Sequence, residues 1–386
     1  MNNPRLNPAV LLAPLDDCYV GYDQAKDRLF ELNGTAALLT ELCDGTRSVE
    51  QLAVLIGPLF SGGENSQVND WIAEALNIEL LTCTAEPTRE PVELTGSQLS
   101  CLARRLQAEG KFSTAFLCQK RATELASADP QSWLAFGELA QITGKREEAQ
   151  AAYERYLRFF PDDAEISHLL KALKDEEPPV RASNDCIVQL YRRFSSFYED
   201  NLCNELDYRA PERLESLLQP VIGNRRELKI LDLGCGTGLA GCRFKPSASH
   251  MVGIDLSPEM IEIARERAIY DRLEVSEISE WLNRPGERFD LILAADSLIY
   301  FGDLAPVLIP AVQRLNHDGL IAFTLEYGDR APFKLTDSGR YSHHPDYIRE
   351  ISKQLPLSIV HLHEEYLRME YSDEVTGLFV VLKSRV

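Results

Sequence analysis

No stretch of this 386-residue chain strings together the roughly 18–20 apolar residues that a membrane-spanning helix requires, so no transmembrane anchor is expected. The opening residues, Met-Asn-Asn-Pro-Arg-Leu-Asn-Pro, lack the charged-then-apolar order of a secretory signal. Basic side chains are in deficit. Forty Lys and Arg stand against 60 Asp and Glu, for a net charge of −20. Such a chain is poorly suited to nucleic acid, whose phosphates call for a cationic face. A basic or neutral partner such as a peptide suits it better. The nine cysteines are odd in number and include no Cys-x-x-Cys pair. That argues against zinc and a disulfide framework, and predicts reduced thiols in a cytoplasmic protein. His361 and His363 alternate on a predicted strand, but no carboxylate–histidine spacing accompanies them, so no metal is expected. An apolar content of 45% and a charged content of 26% leave ample material for a globular core.

What the chain does have is concentrated at residues 229–238, Lys-Ile-Leu-Asp-Leu-Gly-Cys-Gly-Thr-Gly. An apolar run reaches Asp232 and then a turn spaced by Gly234, Gly236 and Gly238, with Cys235 inside it. The run predicts a buried parallel strand, and the glycines a sharp turn with close backbone approach. No Lys-Ser/Thr follows the last glycine, so this is not a P-loop, and the spacing is not that of dinucleotide folds. The D-x-G-x-G-x-G form resembles motif I of the S-adenosylmethionine (SAM) methyltransferases.

The following segments support that resemblance. Met251–Leu256 predicts a second strand ending in Asp255, with Leu256 beyond it, and an acid there can accept ribose hydroxyls. Ser257 and Pro258 predict a helix start. Leu273–Ile278 predicts a third strand, and the resemblance puts its Glu277 beside the adenine amine. Phe289–Ala294 predicts a fourth, followed by Ala295-Asp296-Ser297, which the resemblance puts at the mouth of the site. Leu320–Leu325, Pro356–Leu362 and Leu378–Leu382 complete the pattern, with an antiparallel final strand implied. The fold class is thus α/β: a Rossmann-like domain with a mixed seven-stranded sheet. An all-α region and a small winged-helix-like domain precede it.

Three modules are expected, over 1–86, 95–176 and 184–386. In the first, Tyr19–Tyr22 and Arg28–Leu32 predict two strands, and Asn33 and Ser48 predict helix caps. Leu32-Asn33-Gly34-Thr35-Ala36, Leu42-Cys43-Asp44-Gly45-Thr46-Arg47-Ser48-Val49 and Gln51-Leu52-Ala53 resemble the PqqD family. That likeness implies binding of the leader segment of a precursor peptide, as a strand added to an open sheet edge beside an apolar groove. In the second module, Ser97–Ala128 and Gln131–Pro161 align at a period of 34, resembling tetratricopeptide repeats, with a capping helix over Asp162–Glu176. Such repeats offer a peptide groove or serve as a spacer. Linkers are expected at Glu86–Pro91 and Asp175–Pro179.

The third module opens on Tyr191-Arg-Arg-Phe-Ser-Ser-Phe-Tyr198. Together with Gly339-Arg340-Tyr341-Ser342-His343, Tyr347 and Arg368, it resembles a bacterial family of methyltransferases carrying tetratricopeptide repeats. The resemblance implies that Tyr198, Asp232, Gly234, Cys235, Gly236, Gly238, Asp255, Leu256 and Glu277 contact SAM. Asp232 would organise the turn and meet the methionine ammonium. His343 is the candidate base, with His344 the register alternative, because histidine titrates near neutrality. Arg340 could pair with an acceptor carboxylate, and Asp296 and Tyr300 could line the acceptor pocket. The leading expectation is methylation of a ribosomally made precursor peptide. The alternatives are a small-molecule methyltransferase and a SAM-binding scaffold or peptide chaperone without turnover. The acceptor atom and oligomeric state are not legible in the sequence.

Overall fold

The computed structural model describes residues 3–15, 18–60, 65–84, 95–194, 208–370 and 373–385. It divides into two compact units, Met1–Pro161 and Asp162–Val386. The expected linker at Glu86–Pro91 and the candidate contact Tyr198 lie outside the described residues.

In the first unit, β1 (Asn3–Leu6) pairs with β5 (Leu81–Thr84), and β2 (Val10–Leu15), β3 (Cys18–Asp23) and β4 (Arg28–Leu32) form an antiparallel sheet. Three helices accompany them: α1 (Gly34–Leu42), α2 (Val49–Ile56) and α3 (Asn65–Asn77). Asn33 caps α1, and Ser48 and Gln51 cap α2 reciprocally, so these starts follow from local chemistry. β1 and β5 were not expected. Each is four residues long and gains its definition from a partner remote in sequence, as in Pro4↔Cys83.

Two helical hairpins follow, α4 (Gly96–Ala108) with α5 (Phe112–Leu125), and α6 (Pro130–Ile142) with α7 (Arg146–Leu157). The second begins 34 residues after the first. Gly137 brings α6 against α7, since a Cβ there would lie 2.4 Å from the Tyr153 ring.

The second unit begins with α8 (Ala164–Leu173), α9 (Asn184–Phe194) and α10 (Ala210–Ile222). In α8, expected as a cap on the repeats, His168 Nε2 lies 2.9 Å from the Gly339 carbonyl. Its Ala172 clusters with Leu335 and Tyr341. Then come β6 (Leu228–Leu233), α11 (Leu239–Phe244), β7 (Ala248–Asp255), α12 (Pro258–Glu266), β8 (Arg272–Val275), α13 (Ile278–Asn283) and β9 (Phe289–Ala294). The chain continues through α14 (Ala305–Gln313), β10 (Leu315–Tyr327), β11 (Phe333–Leu335), β12 (Tyr341–His343), α15 (Pro345–Gln354), β13 (Leu357–Glu370) and β14 (Asp373–Ser384).

The sheet runs β8-β7-β6-β9-β10-β14-β13, with β12 and β11 added at the far end of β10. Strands β6 to β10 are parallel, and β14 lies antiparallel between β10 and β13. The mixed sheet is therefore the expected Rossmann-like one, enlarged by two short strands. Alternate residues face two cores: Leu231, Val252, Ile292 and Phe323 pack on one side, Ile230, Met251, Leu291 and Ala322 on the other. Burial on both faces explains why these strands read as continuous apolar runs. The third strand stops at Val275 rather than Ile278, because Glu277 leaves it to cap α13. Chain order reverses between β6 and β9, which opens a crevice at their carboxyl ends.

Candidate functional site

The crevice is built from the turn after β6. Gly234, Gly236 and Gly238 have φ of +66°, +53° and +92°, a region in which a side chain is strained. At Gly234 the requirement is doubled, since a Cβ would lie 2.4 Å from that of Ser297. Ser297 in turn donates its hydroxyl to the Leu233 carbonyl at 2.7 Å. Cys235 donates its backbone N–H to Ile254, and burial pushes its thiol well above the usual range. It is a packed residue of the turn, not a nucleophile.

Three carboxylates from three segments stand around this turn. Asp255, at the end of β7, accepts the N–H of Gly236 and that of Ser257, both at 2.8 Å. Burial raises its pKa, opposed by these backbone donors. Each oxygen is thus oriented yet retains a lone pair. Glu277 accepts the Glu280 N–H with Oε2 at 2.8 Å, while its buried Oε1 has no partner among the described residues. Asp232 accepts the Tyr270 hydroxyl with Oδ2 at 2.7 Å, and its buried Oδ1 is likewise unpartnered there. Burial pushes Asp232 up to about 6.

A cleft of about 560 Å³ opens beside the turn, lined in part by Gly234, Gly236, Asp255, Leu256, Glu277 and Ile278. A second hollow of about 320 Å³ shares Gly234, Gly236 and Ala295 with it and adds Tyr208, Cys235, Thr237 and Leu239. The oriented lone pairs of Asp255, the orphaned Glu277 Oε1 and apolar walls at Leu256 and Ile278 fit an adenosyl group, while Asp232 is buried and lines neither space.

The four candidates for acceptor chemistry separate. Asp296 and Tyr300 line the cleft, as do Tyr191 and Arg181. The Tyr300 and Tyr191 hydroxyls are 3.2 Å apart, and burial pushes Tyr300 up to about 12. Arg340 and His343 are not among the lining residues. The guanidinium of Arg340 donates to Glu326 at 2.6 Å and to Glu370, so its fork is already engaged. His343 is fully buried on β12, with Nε2 2.9 Å from the Gly302 carbonyl and the Tyr347 ring stacked on it. Burial holds it down at about 4, a neutral structural histidine. Tyr341–His343 forms a strand paired with β10 and β11. The register alternative, His344, caps α15 by accepting the Asp346 N–H.

The sequence reading did not give Tyr191 and Tyr270 these places, nor Glu326 and Glu370 theirs. Arg368 donates to Asp296 and Glu326, closing a buried network of three carboxylates and two guanidinium groups with Arg340 and Glu370. No local pattern announces such partners. The only signal is an unusual density of charge on strands that otherwise read as core.

Comparison with known proteins agrees with this geometry. Residues 230–319 match a family described as a methyltransferase domain. Aklanonic acid methyltransferase DauC of Streptomyces is 34% identical over 148 residues, covering 36% of this chain and 64% of that protein. Methyltransferase-like protein 27 of Homo sapiens is 31% identical over 140 residues, covering 36% and 56%. Malonyl-[acyl-carrier protein] O-methyltransferase of Acetivibrio thermocellus is 33% identical over 107 residues, covering 27% and 37%. The chain thus spans between about a third and two thirds of the length of these relatives. The glycine turn, the strand-end acids and the matched segment together show that the second unit carries a class I SAM-dependent methyltransferase domain.

Proposed function

We propose that this protein transfers a methyl group from SAM to a peptide acceptor, as in the maturation of a ribosomally made precursor. The observation that carries the methyl-transfer part is the closure of the glycine turn on Asp255 through the Gly236 N–H at 2.8 Å. When bound, SAM supplies an activated methyl on a sulfonium that is its own leaving group. The chain's part is to hold and to exclude water. Asp255 accepts ribose hydroxyls, Glu277 takes the adenine amine, and Asp232 Oδ1 takes the ammonium. Tyr191 and Tyr300 wall the cleft toward the acceptor. Among the described residues lining it, none is histidine, lysine or cysteine. The carboxylates of Asp255, Glu277 and Asp296 do line it, so a proton taken from the acceptor would go to a carboxylate such as Asp296.

The peptide part rests on the first unit. Among the described residues, β2 and β4 each pair only with β3, leaving two open edges. Leu11, Tyr22 and Leu29 are cross-strand partners and 55%, 38% and 69% exposed, an apolar row across the sheet. Open edges beside apolar side chains suit an added peptide strand. A second reading, a small carboxylic acid as acceptor, draws on relatives named for aklanonic acid and a malonyl group.

Calorimetric titration with SAM and S-adenosylhomocysteine, followed by methyl transfer to precursor peptides and to small acids, separates the readings. Leu11→Asp with Leu29→Asp is expected to raise KM for the peptide severalfold and to leave SAM binding unchanged. An unchanged KM, or activity confined to small acids, would remove the peptide reading.

A further inference from the structure

Tyr270 stands outside the glycine turn in sequence, between α12 and β8, yet the turn is shaped around it. A Cβ on Gly241 would lie 2.2 Å from its hydroxyl and one on Gly253 would lie 2.9 Å from its ring. A Cβ on Gly238 would meet the same ring at 3.1 Å. Three glycines therefore form a slot, and its occupant is a tyrosine of this chain. The last glycine of the turn is explained by Tyr270 and by Arg267, which donates to the Thr237 carbonyl at 2.6 Å, as much as by any ligand.

At the end of the slot the Tyr270 hydroxyl donates to Asp232 Oδ2 at 2.7 Å. Asp232 is 1% exposed, and its other oxygen has no partner among the described residues. A buried carboxylate with one oxygen fixed and one bare is costly unless a donor completes it. Tyr270 sets the carboxyl plane, and with it the direction in which Oδ1 is presented.

We propose that Tyr270 is a positioning residue for the cofactor's amino-acid end: it orients Asp232 so that Oδ1 meets the ammonium, and it props the turn from behind. The inference rests on the SAM-binding reading above. It also separates the two ends of the cofactor. Tyr270 acts through Asp232 on the ammonium, whereas Asp255 and Glu277 hold the nucleoside independently of it.

The test compares two ligands by calorimetry on the full chain. SAM carries the ammonium; 5′-methylthioadenosine has the same nucleoside without it. Tyr270→Phe keeps the ring in the slot and removes the donor. SAM affinity is expected to fall about tenfold, while 5′-methylthioadenosine binding is unchanged. In an Asp232→Asn background, Tyr270→Phe is expected to add almost nothing, because both changes act on one contact. Equal losses for both ligands, no loss for SAM, or full additivity with Asp232→Asn would each overturn the proposal. Circular dichroism of each variant shows whether the fold persists. Should Tyr270→Phe fail to fold, Asp232→Asn still tests the premise, and SAM affinity undiminished in that variant would overturn the proposal. A wild-type protein that binds 5′-methylthioadenosine but not SAM would overturn this inference while sparing the nucleoside site. One that binds neither would overturn the cofactor reading itself.

Discussion

Arg368 places one guanidinium nitrogen 3.0 Å from each carboxylate oxygen of Asp296, across 72 positions of sequence. Asp296 has a φ of +56° and lines the cleft, so the arginine holds a backbone-strained residue at the site's edge. The Arg368 side chain is 4% exposed and also serves Glu326. Arg368→Met would leave two carboxylates without this partner. Breaking a buried pair in this way costs ~3–5 kcal/mol, to be read from urea unfolding. Arg368→Lys keeps the charge but not the fork, and should fall between the two. A loss in Arg368→Met below about 1 kcal/mol, the surface ion-pair range, would mean that the network is no more than a surface ornament.

The same network gives an acid limit to stability. Glu326 is buried, and despite that burial the Arg340 and Arg368 guanidinium groups hold it below the usual range. Its contribution is present above the unfolded value of ~4.3 and is lost as pH falls through the lower folded value. Glu326→Gln should therefore be less stable at neutral pH and show a shallower acid transition. An acid transition as steep as that of the wild type would assign acid unfolding to other groups.

His343 separates a structural role from a catalytic one. Removing a general base costs ~10²–10⁴-fold in rate. Because His343 is fully buried and outside the cleft lining, His343→Phe should change kcat by much less than that, while destabilising the fold by ~1–3 kcal/mol through the unpaired Gly302 carbonyl. Its folded value near 4 lies below the unfolded ~6.5. Stability linked to it is present above ~6.5 and lost as pH falls toward 4, so the variant should show a flatter profile between those limits. A hundredfold fall in kcat with the fold intact would restore it as the base.

The parts of this molecule that were legible in sequence are those fixed by neighbours. Asp232, Gly234 and Asp255 were readable because strand, turn and acid occur within a few residues, and burial on both faces makes the strands apolar throughout. The caps at Asn33, Ser48 and Ser257 were readable for the same reason. Residues that act at a distance were not. The partner of Asp232 is Tyr270, 38 positions on, and that of Asp296 is Arg368. Arg340 and His343 looked exposed because a polar segment after a core strand reads as a loop. Pairing of Tyr341–His343 with both β10 and β11 turns the segment into sheet and takes the imidazole out of solvent.

Asp255 offers the direct test of cofactor contact. Its two oxygens are oriented by Gly236 and Ser257, so Asp255→Asn keeps one acceptor and Asp255→Ala keeps neither. Loss of a charge-assisted hydrogen bond is worth ~1.5–3 kcal/mol, or about ten- to a hundredfold in SAM affinity for the alanine variant. The asparagine variant should lie between. Wild-type affinity in Asp255→Ala would place the ribose elsewhere.

Asp232 makes SAM binding depend on pH. Facing it are the Tyr270 hydroxyl, which lowers its pKa by donating, and Asp255, which raises it; the Cys235 thiol is held neutral by burial. Desolvation prevails, and the carboxyl titrates at about 6 rather than near ~3.9. For the ligand-free fold, the stability tied to this group is present below ~3.9 and is lost as pH rises through 6, because the ion must then be buried unpaired. The cofactor ammonium reverses that penalty by pairing with the ionised form. SAM affinity should therefore rise as pH goes from 5 to 7, with its midpoint near 6, while 5′-methylthioadenosine affinity stays flat. In Asp232→Asn the step should vanish for both ligands. A pH step shared by the two ligands would place its origin at Asp255, and Asp232 would then be only a scaffold for the turn.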